Sequence, residues 1–144
     1  MKDQTIVKDI AFNAAITTLW DAITDPEEMK KWYFNIQDFE LVEGNKFYFY
    51  EPNGKNFKHV CRILEVVPGE RIRYTWSYPE YSKAISVVSW QLTSVDRITH
   101  VRLKHSGIEN FSSLGPNFES SSFDAGWDAI IMKSLPEFLK SKLY

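Results

Sequence analysis

Few residues in this chain carry side chains suited to catalysis or metal binding. There is one cysteine, Cys61, and three histidines, His59, His100 and His105. His59 and Cys61 stand two positions apart, which on a strand puts both on one face. A Cys–His pair within reach of each other makes a thiolate nucleophile. No third residue is placed to orient that pair, and the sequence lacks a Gly-x-Ser-x-Gly elbow, so Cys61 is expected to be an inert core thiol. His100 and His105 are an odd number apart on one strand, so they should point to opposite faces. Only His59, Cys61 and His105 can converge, and they lack the Cys-x2-Cys or His-x3-His spacing of a zinc site. No metal and no cofactor are expected. His105 reads instead as a polar core residue bonded to a hydroxyl or carbonyl. Glu65 shares the His59 face, where an aromatic wall would raise its carboxyl by desolvation. No second inward carboxylate accompanies it, and near its strand end it should reach water or Arg73. The glycines form no Gly-x-Gly-x-x-Gly or phosphate loop.

The whole chain has 144 residues and a formal charge of −2, with 17 Lys and Arg against 19 Asp and Glu. That length suits one domain spanning residues 1–144 with a core that needs no disulfide. Without a basic excess or stripe, nucleic acid is not an expected partner. The N-terminal residues lack the apolar stretch of a signal peptide, and no run reaches the length of a membrane span. With a lone cysteine, these features lead to an expected cytoplasmic location and no membrane insertion. Phe, Trp and Tyr make up 15% of the chain, enough for an aromatic core or an aromatic-lined cavity.

These residues need elements to position them. Residues 4–12 read as a first strand, and Asn13 as the cap of a helix carrying Ile16, Leu19, Trp20 and Ile23 on one stripe. Asp25, Pro26 and Glu28 occupy N-cap, N1 and N3 of a second short helix. Strands follow at 38–43, 46–51, 57–67, 70–78, 84–94 and 98–106. Their turn signals are Gly44-Asn45, Pro52-Asn53-Gly54, Pro68-Gly69 and Val95-Asp96-Arg97. A loop covers 107–119. A final helix carries Phe123, Trp127, Ile130, Ile131, Leu135, Phe138 and Leu139, with Pro136 a candidate kink. Short connections make the sheet antiparallel, and helices on one face make the class α+β.

Strand parity sorts the side chains. Ile72, Tyr74 and Trp76 share an inward face, as do Val88, Trp90 and Leu92, and Val101, Leu103 and His105. Phe47 and Phe49 face inward, leaving Tyr48 and Tyr50 outside for solvent or a homodimer contact. A two-residue Pro68-Gly69 turn pairs Val67 with Glu70, Ile63 with Tyr74 and Cys61 with Trp76. It turns His59, Cys61, Ile63 and Glu65 inward unless a bulge intervenes. A curved sheet crossed by one long helix, both rich in rings, should leave an apolar pocket of a few hundred Å3. The expected lining is Phe49, Cys61, Ile63, Tyr74, Trp76, Trp90, Leu103, His105, Phe123, Trp127 and Ile131.

Four motifs carry a family resemblance. Residues 19–32, Leu-Trp-Asp-Ala-Ile-Thr-Asp-Pro-Glu-Glu-Met-Lys-Lys-Trp, resemble the opening of the AHSA1-like branch (activator of Hsp90 ATPase homologue) of the SRPBCC superfamily. Glu65 to Trp76 resembles its "E..P...L.YTW" strand pair. Val88, Leu92, Thr99, Leu103, His105 and Gly107 fit a third pattern, and Gly126-Trp127 with Leu135 fits its C-terminal helix. The resemblance implies a START/Bet v 1-like helix-grip fold, β-α-α-β6-α, with a cavity between the long helix and the sheet. An aromatic-lined cavity of that kind is expected to take a small hydrophobic or amphipathic ligand. The superfamily includes lipid and hormone binders, polyketide cyclases and a domain of an Hsp90 co-chaperone. The alternatives are a cyclase-, dehydratase- or hydrolase-like enzyme using the same cavity with Tyr74, His105 and Cys61 as polar groups, and a chaperone-partner role.

Overall fold

The computed structural model describes residues 5–50, 58–115 and 118–141. The expected Pro52-Asn53-Gly54 turn, and the strand ends at Gln4, Glu51 and Phe57, lie outside the described residues. Strand β1 (Ile6–Phe12) leads into helices α1 (Ile16–Thr24) and α2 (Pro26–Trp32). Strands β2 (Lys46–Tyr50), β3 (Lys58–Val67), β4 (Arg71–Ser77), β5 (Ile85–Val95) and β6 (Ile98–Ser106) follow. The chain ends in helix α3 (Ser120–Asp128), a π-helical stretch (Ala129–Ser134) and helix α4 (Leu135–Ser141). The strands form one antiparallel sheet in the order β1-β6-β5-β4-β3-β2, an α+β helix-grip arrangement. The first strand therefore seals the edge that the last strand would leave open.

Local chemistry accounts for most boundaries. Asp25 caps α2 by accepting the Glu27 N–H at 3.0 Å, with Pro26 in the first turn. Asn13 does not cap α1. The cap is Ala15, which offers no side-chain bond, and the Thr99 hydroxyl instead donates to the Ala14 carbonyl at 2.7 Å. Residues 38–43 are not a strand. Only an isolated bridge, Gln37 to Tyr48, pairs with β2 there, so the described sheet has six strands rather than seven. Gly44-Asn45 is consequently not a hairpin turn; Gly44 donates to the Ile63 carbonyl and Ile63 to that of Asn45, extending the β2–β3 ladder.

The β3–β4 hairpin departs from the expected register in two ways that cancel. Its loop is one residue longer, so Val67 pairs with Arg71 rather than Glu70. Gly69 takes φ +77° within that loop, a conformation glycine adopts without a Cβ clash. A bulge between Ile63 and Glu65 then absorbs one residue, and Ile63 still lies opposite Tyr74. Beyond the bulge every side chain switches face. Val66 joins the packed inner side, and Glu65 turns outward, where Arg71 binds its carboxylate at 2.8 Å. These neighbours hold the Glu65 carboxyl below its ordinary range, Arg71 first and Arg73 after it.

Alternation holds along the other inner strands. Ile72, Tyr74, Trp76, Val88, Trp90, Leu92, Val101, Leu103 and His105 are all buried. The loop expected at 107–119 contains a 3-10 helix, Ile108–Leu114, that buries Ile108 and Phe111 completely. In the C-terminal helix Pro136 produces no sharp break. The preceding turn widens to π, with Leu135 donating to the Ile130 carbonyl. Widening relieves the clash between a proline ring and the carbonyl one turn back, and spreads the missing bond over two turns.

Candidate functional site

Three indoles and their partners form the polar skeleton inside the grip. Parity on β5 and β6 aims Ser86 and His105 at each other, and α3 lays Trp127 across them. Trp127 Nε1 donates to His105 Nδ1 at 3.0 Å. The indole N–H can only donate, so Nδ1 accepts and the neutral ring carries its proton on Nε2. That proton goes to the Ser86 hydroxyl at 2.7 Å, and Ser86 in turn donates to the Trp76 carbonyl at 3.1 Å. Burial, with His59 nearby, pushes the His105 imidazolium pKa down to about 3, so the ring is neutral at physiological pH. The Ser86–His105 distance is that of a nucleophile and its base. The proton direction is the reverse of what a base needs: Nε2 gives its proton to the serine and cannot take one from it. The chain is a structural strut between helix and sheet.

A second chain runs from Trp90 Nε1 to the Tyr74 hydroxyl at 2.9 Å, which lies 3.1 Å from that of Tyr33. Burial is the main cause raising both phenols above their ordinary values, so they remain neutral donors. A third bond joins Trp76 Nε1 to the Tyr78 hydroxyl at 2.8 Å. Cys61 is fully buried, and burial drives its thiol well above the usual value. It is therefore held as the unreactive thiol.

Beside these chains lies a pocket of about 90 Å3 between the sheet and α3, lined by Phe34, His59, Trp76, Tyr78, Ser122, Phe123, Gly126, Trp127 and Ile130. Its floor is aromatic. His59 stacks on Phe49 at 4.6 Å between ring centroids and meets the edges of Trp76 and Tyr78. Its rim is Ser122 and Gly126, both exposed. The pocket is smaller than the few hundred Å3 expected, because the rings interdigitate. Trp127 packs 5.5 Å from Trp76 and 5.9 Å from Trp90, and Phe34 stacks on Phe49 at 4.4 Å.

Of the eleven residues expected to line a cavity, Trp76, Phe123 and Trp127 do so. Phe49, Cys61, Ile63, Tyr74, Trp90, Leu103, His105 and Ile131 are buried behind them in the continuous core. Sequence reasoning missed Phe34, Tyr78, Ser122, Gly126 and Ile130 in the lining, and the Tyr33 hydroxyl beside it. Tyr78 continues the inward set Ile72, Tyr74, Trp76 by parity and was readable. Tyr33 and Phe34 follow α2 in a segment without periodicity. Among the described residues no group of three or more His, Cys, Asp or Glu side chains is placed to hold a metal ion.

Residues 13–140 match the family model described as activator of Hsp90 ATPase homolog 1-like protein. The chain belongs to that family. Several solved structures share its fold. MLL2253 from Mesorhizobium loti superposes with a TM-score of 0.77 at 25% identity, covering 95% of this chain and 97% of that one. CalU16 from Micromonospora echinospora gives 0.74 at 21% identity over 96% of this chain and 78% of that one. PFC0360w, an HSP90 activator from Plasmodium falciparum, gives 0.70 at 16% identity over 91% and 90%. A search of curated proteins finds no match. No described helix of this family member is long and apolar enough to cross a membrane.

Proposed function

We propose that this AHSA1-like domain, residues 1–144 acting as one unit in the cytoplasm, binds a small hydrophobic or amphipathic molecule. The observation that carries the reading is the pocket's construction. An exposed rim at Ser122 and Gly126 leads to buried rings and to two buried polar side chains, His59 and Tyr78. Apolar walls with a few placed polar groups are the usual make-up of a ligand site. The volume of about 90 Å3 is below the ~150 Å3 cavity that accepts benzene in an engineered protein. A guest therefore inserts one flat edge, leans out over the rim, and displaces Phe34 or α3 to seat further. Catalysis is not part of this reading, because the serine–histidine pair has its proton pointed the wrong way and the thiol is held protonated.

Gly126 supplies the test. A Cβ built there meets nothing within 4 Å, so the helix accepts a side chain at this position and Gly126→Leu narrows the rim. The change also raises helix propensity by about 0.8 kcal/mol, so the variant should melt no lower than the parent. Fluorescence titration with 1-anilinonaphthalene-8-sulfonate should give saturable binding to the parent and a loss of about tenfold or more in Gly126→Leu, a change of about 1.4 kcal/mol. Equal binding by a folded Gly126→Leu protein overturns the reading. Native mass spectrometry of gently purified protein supplies an independent measure through a co-purified mass.

A second reading, an Hsp90-type partner, draws on the family match and on the fold shared with the Plasmodium falciparum activator. Adding the chain to an Hsp90 ATPase assay tests it directly.

A further inference from the structure

The helices cover only one side of the sheet. The register fixes what the other side presents. Outward positions carry Lys46 on β2, Lys58 and Arg62 on β3, Arg71 and Arg73 on β4, and Arg102 and Lys104 on β6. Against these seven cations the described strands turn out two carboxylates, Asp9 and Glu65. The chain as a whole carries a formal charge of −2, so its positive charge is concentrated on this face. Both carboxylates are held in two-point arginine contacts: Arg102 to Asp9 at 2.7 and 3.5 Å, and Arg71 to Glu65 at 2.8 and 3.5 Å. Lys46, Arg62 and Lys104 have no carboxylate partner among the described residues.

We propose that this bare sheet face docks an acidic, extended segment of a partner protein across β3, β4 and β6, where Arg62 and Lys104 are its unpaired cations among the described residues. The cation pairs Arg71/Arg73 and Arg102/Lys104 each sit two residues apart on one strand, about 7 Å along the face, with the strands themselves roughly 10 Å apart. Alternate side chains of an extended peptide have the same ~7 Å repeat, so an acid-x-acid run laid along β6 meets Lys104 unpaired and Arg102 shared with Asp9, while one along β4 meets Arg71 and Arg73, both shared with Glu65. The arginine forks here already grip carboxylates in the two-point manner, the geometry guanidinium groups favour. A single-stranded nucleic acid fits less well. Base stacking needs several rings beside the charge, whereas β4, β5 and β6 offer Thr75, Ser89 and Gln91 outward between the cations and a single ring, His100, toward the start of β6. The outward tyrosines, Tyr48 and Tyr50, lie on edge strand β2, and Lys58 covers the Tyr48 ring at 4.8 Å.

The test is fluorescence anisotropy with a fluorescein-labelled peptide of alternating Glu and Ser. The parent should bind it with an affinity that falls steeply as salt is raised. Arg62→Glu/Lys104→Glu should lose about tenfold or more, and Arg62→Gln/Lys104→Gln about threefold, with unchanged circular dichroism. Lys133→Glu/Lys140→Glu, the same charge change on the C-terminal helix, should stay within about twofold of the parent. Equal losses in the two charge-reversed proteins would reduce the effect to net charge and overturn the proposal. So would failure to bind the peptide, or tighter binding of a fluorescein-labelled oligo(dT) that the Arg62/Lys104 variants weaken.

Discussion

His105 shows how one side chain couples the two layers of the grip. Its ring accepts from the C-terminal helix and donates to the sheet, and it does so only when neutral. The folded pKa of about 3 lies below the ordinary 6.5. Between those values the unfolded chain takes up a proton that the folded chain refuses, so stability falls as pH drops below 6.5 and levels off near 3. The slope from this group is about 1.4 kcal/mol per pH unit; above pH 6.5 it contributes none. Urea melts at pH 7.5, 6.0 and 5.0 should show this loss, and His105→Asn should be less stable at pH 7.5 yet visibly flatter below it. A variant as steep as the parent would assign the acid sensitivity elsewhere. The location and burial of His105 followed from strand parity. Its two bonds do not follow, because Ser86 is small beside its inward neighbours and Trp127 fits both an apolar helical stripe and a cavity wall, with nothing in the spacing to aim its indole N–H at His105.

Among the elements, legibility tracked the strength of the local code. β4 alternates strictly between apolar and polar, as do β5 over residues 88–92 and β6 over residues 101–104, so these inward sets are readable. The 38–43 segment carries Phe39, Leu41 and Val42 near a Gly-Asn pair and mimics a strand. Asp38 at φ +62° bends the chain out of extended geometry, so the ladder with β3 begins only at Gly44. The bulge after Ile63 left no mark in the sequence, since Leu64 and Val66 are both apolar and either suits an inward position. Capping is the opposite case. Asp25 and Pro26 name their own roles, and the bond to the Glu27 N–H is present. Asp25→Ala should cost about 1 kcal/mol and Asp25→Ser well under that, because serine retains an oxygen for the same donor. Chemical denaturation with an unchanged m-value is the check; equal losses for both would place the contribution elsewhere, such as the charge of Asp25 at the helix terminus.

At the scale of the molecule, the fold uses its aromatic residues to fill the grip rather than leave it hollow, and this sets stability against capacity. Phe34 stands at that boundary. It is half-buried, stacks on Phe49 at 4.4 Å, and forms one wall of the pocket. Removing the ring sacrifices packing contacts and enlarges the void, so Phe34→Ala should lower stability by about 2–3 kcal/mol, below the ~3–5 typical of fully buried phenylalanines. The same space becomes available to a guest, and the anilinonaphthalene probe should bind the folded variant more tightly than the parent. Bound probe should then return part of the lost stability, by about 2.7 kcal/mol at a hundredfold excess over Kd. The two effects have opposite signs because a ring of the protein and a ring of the ligand compete for one volume beside His59 and Trp76. If stability and probe affinity instead fell together, Phe34 would be acting as part of the binding surface, and the guest would rest on this ring rather than replace it.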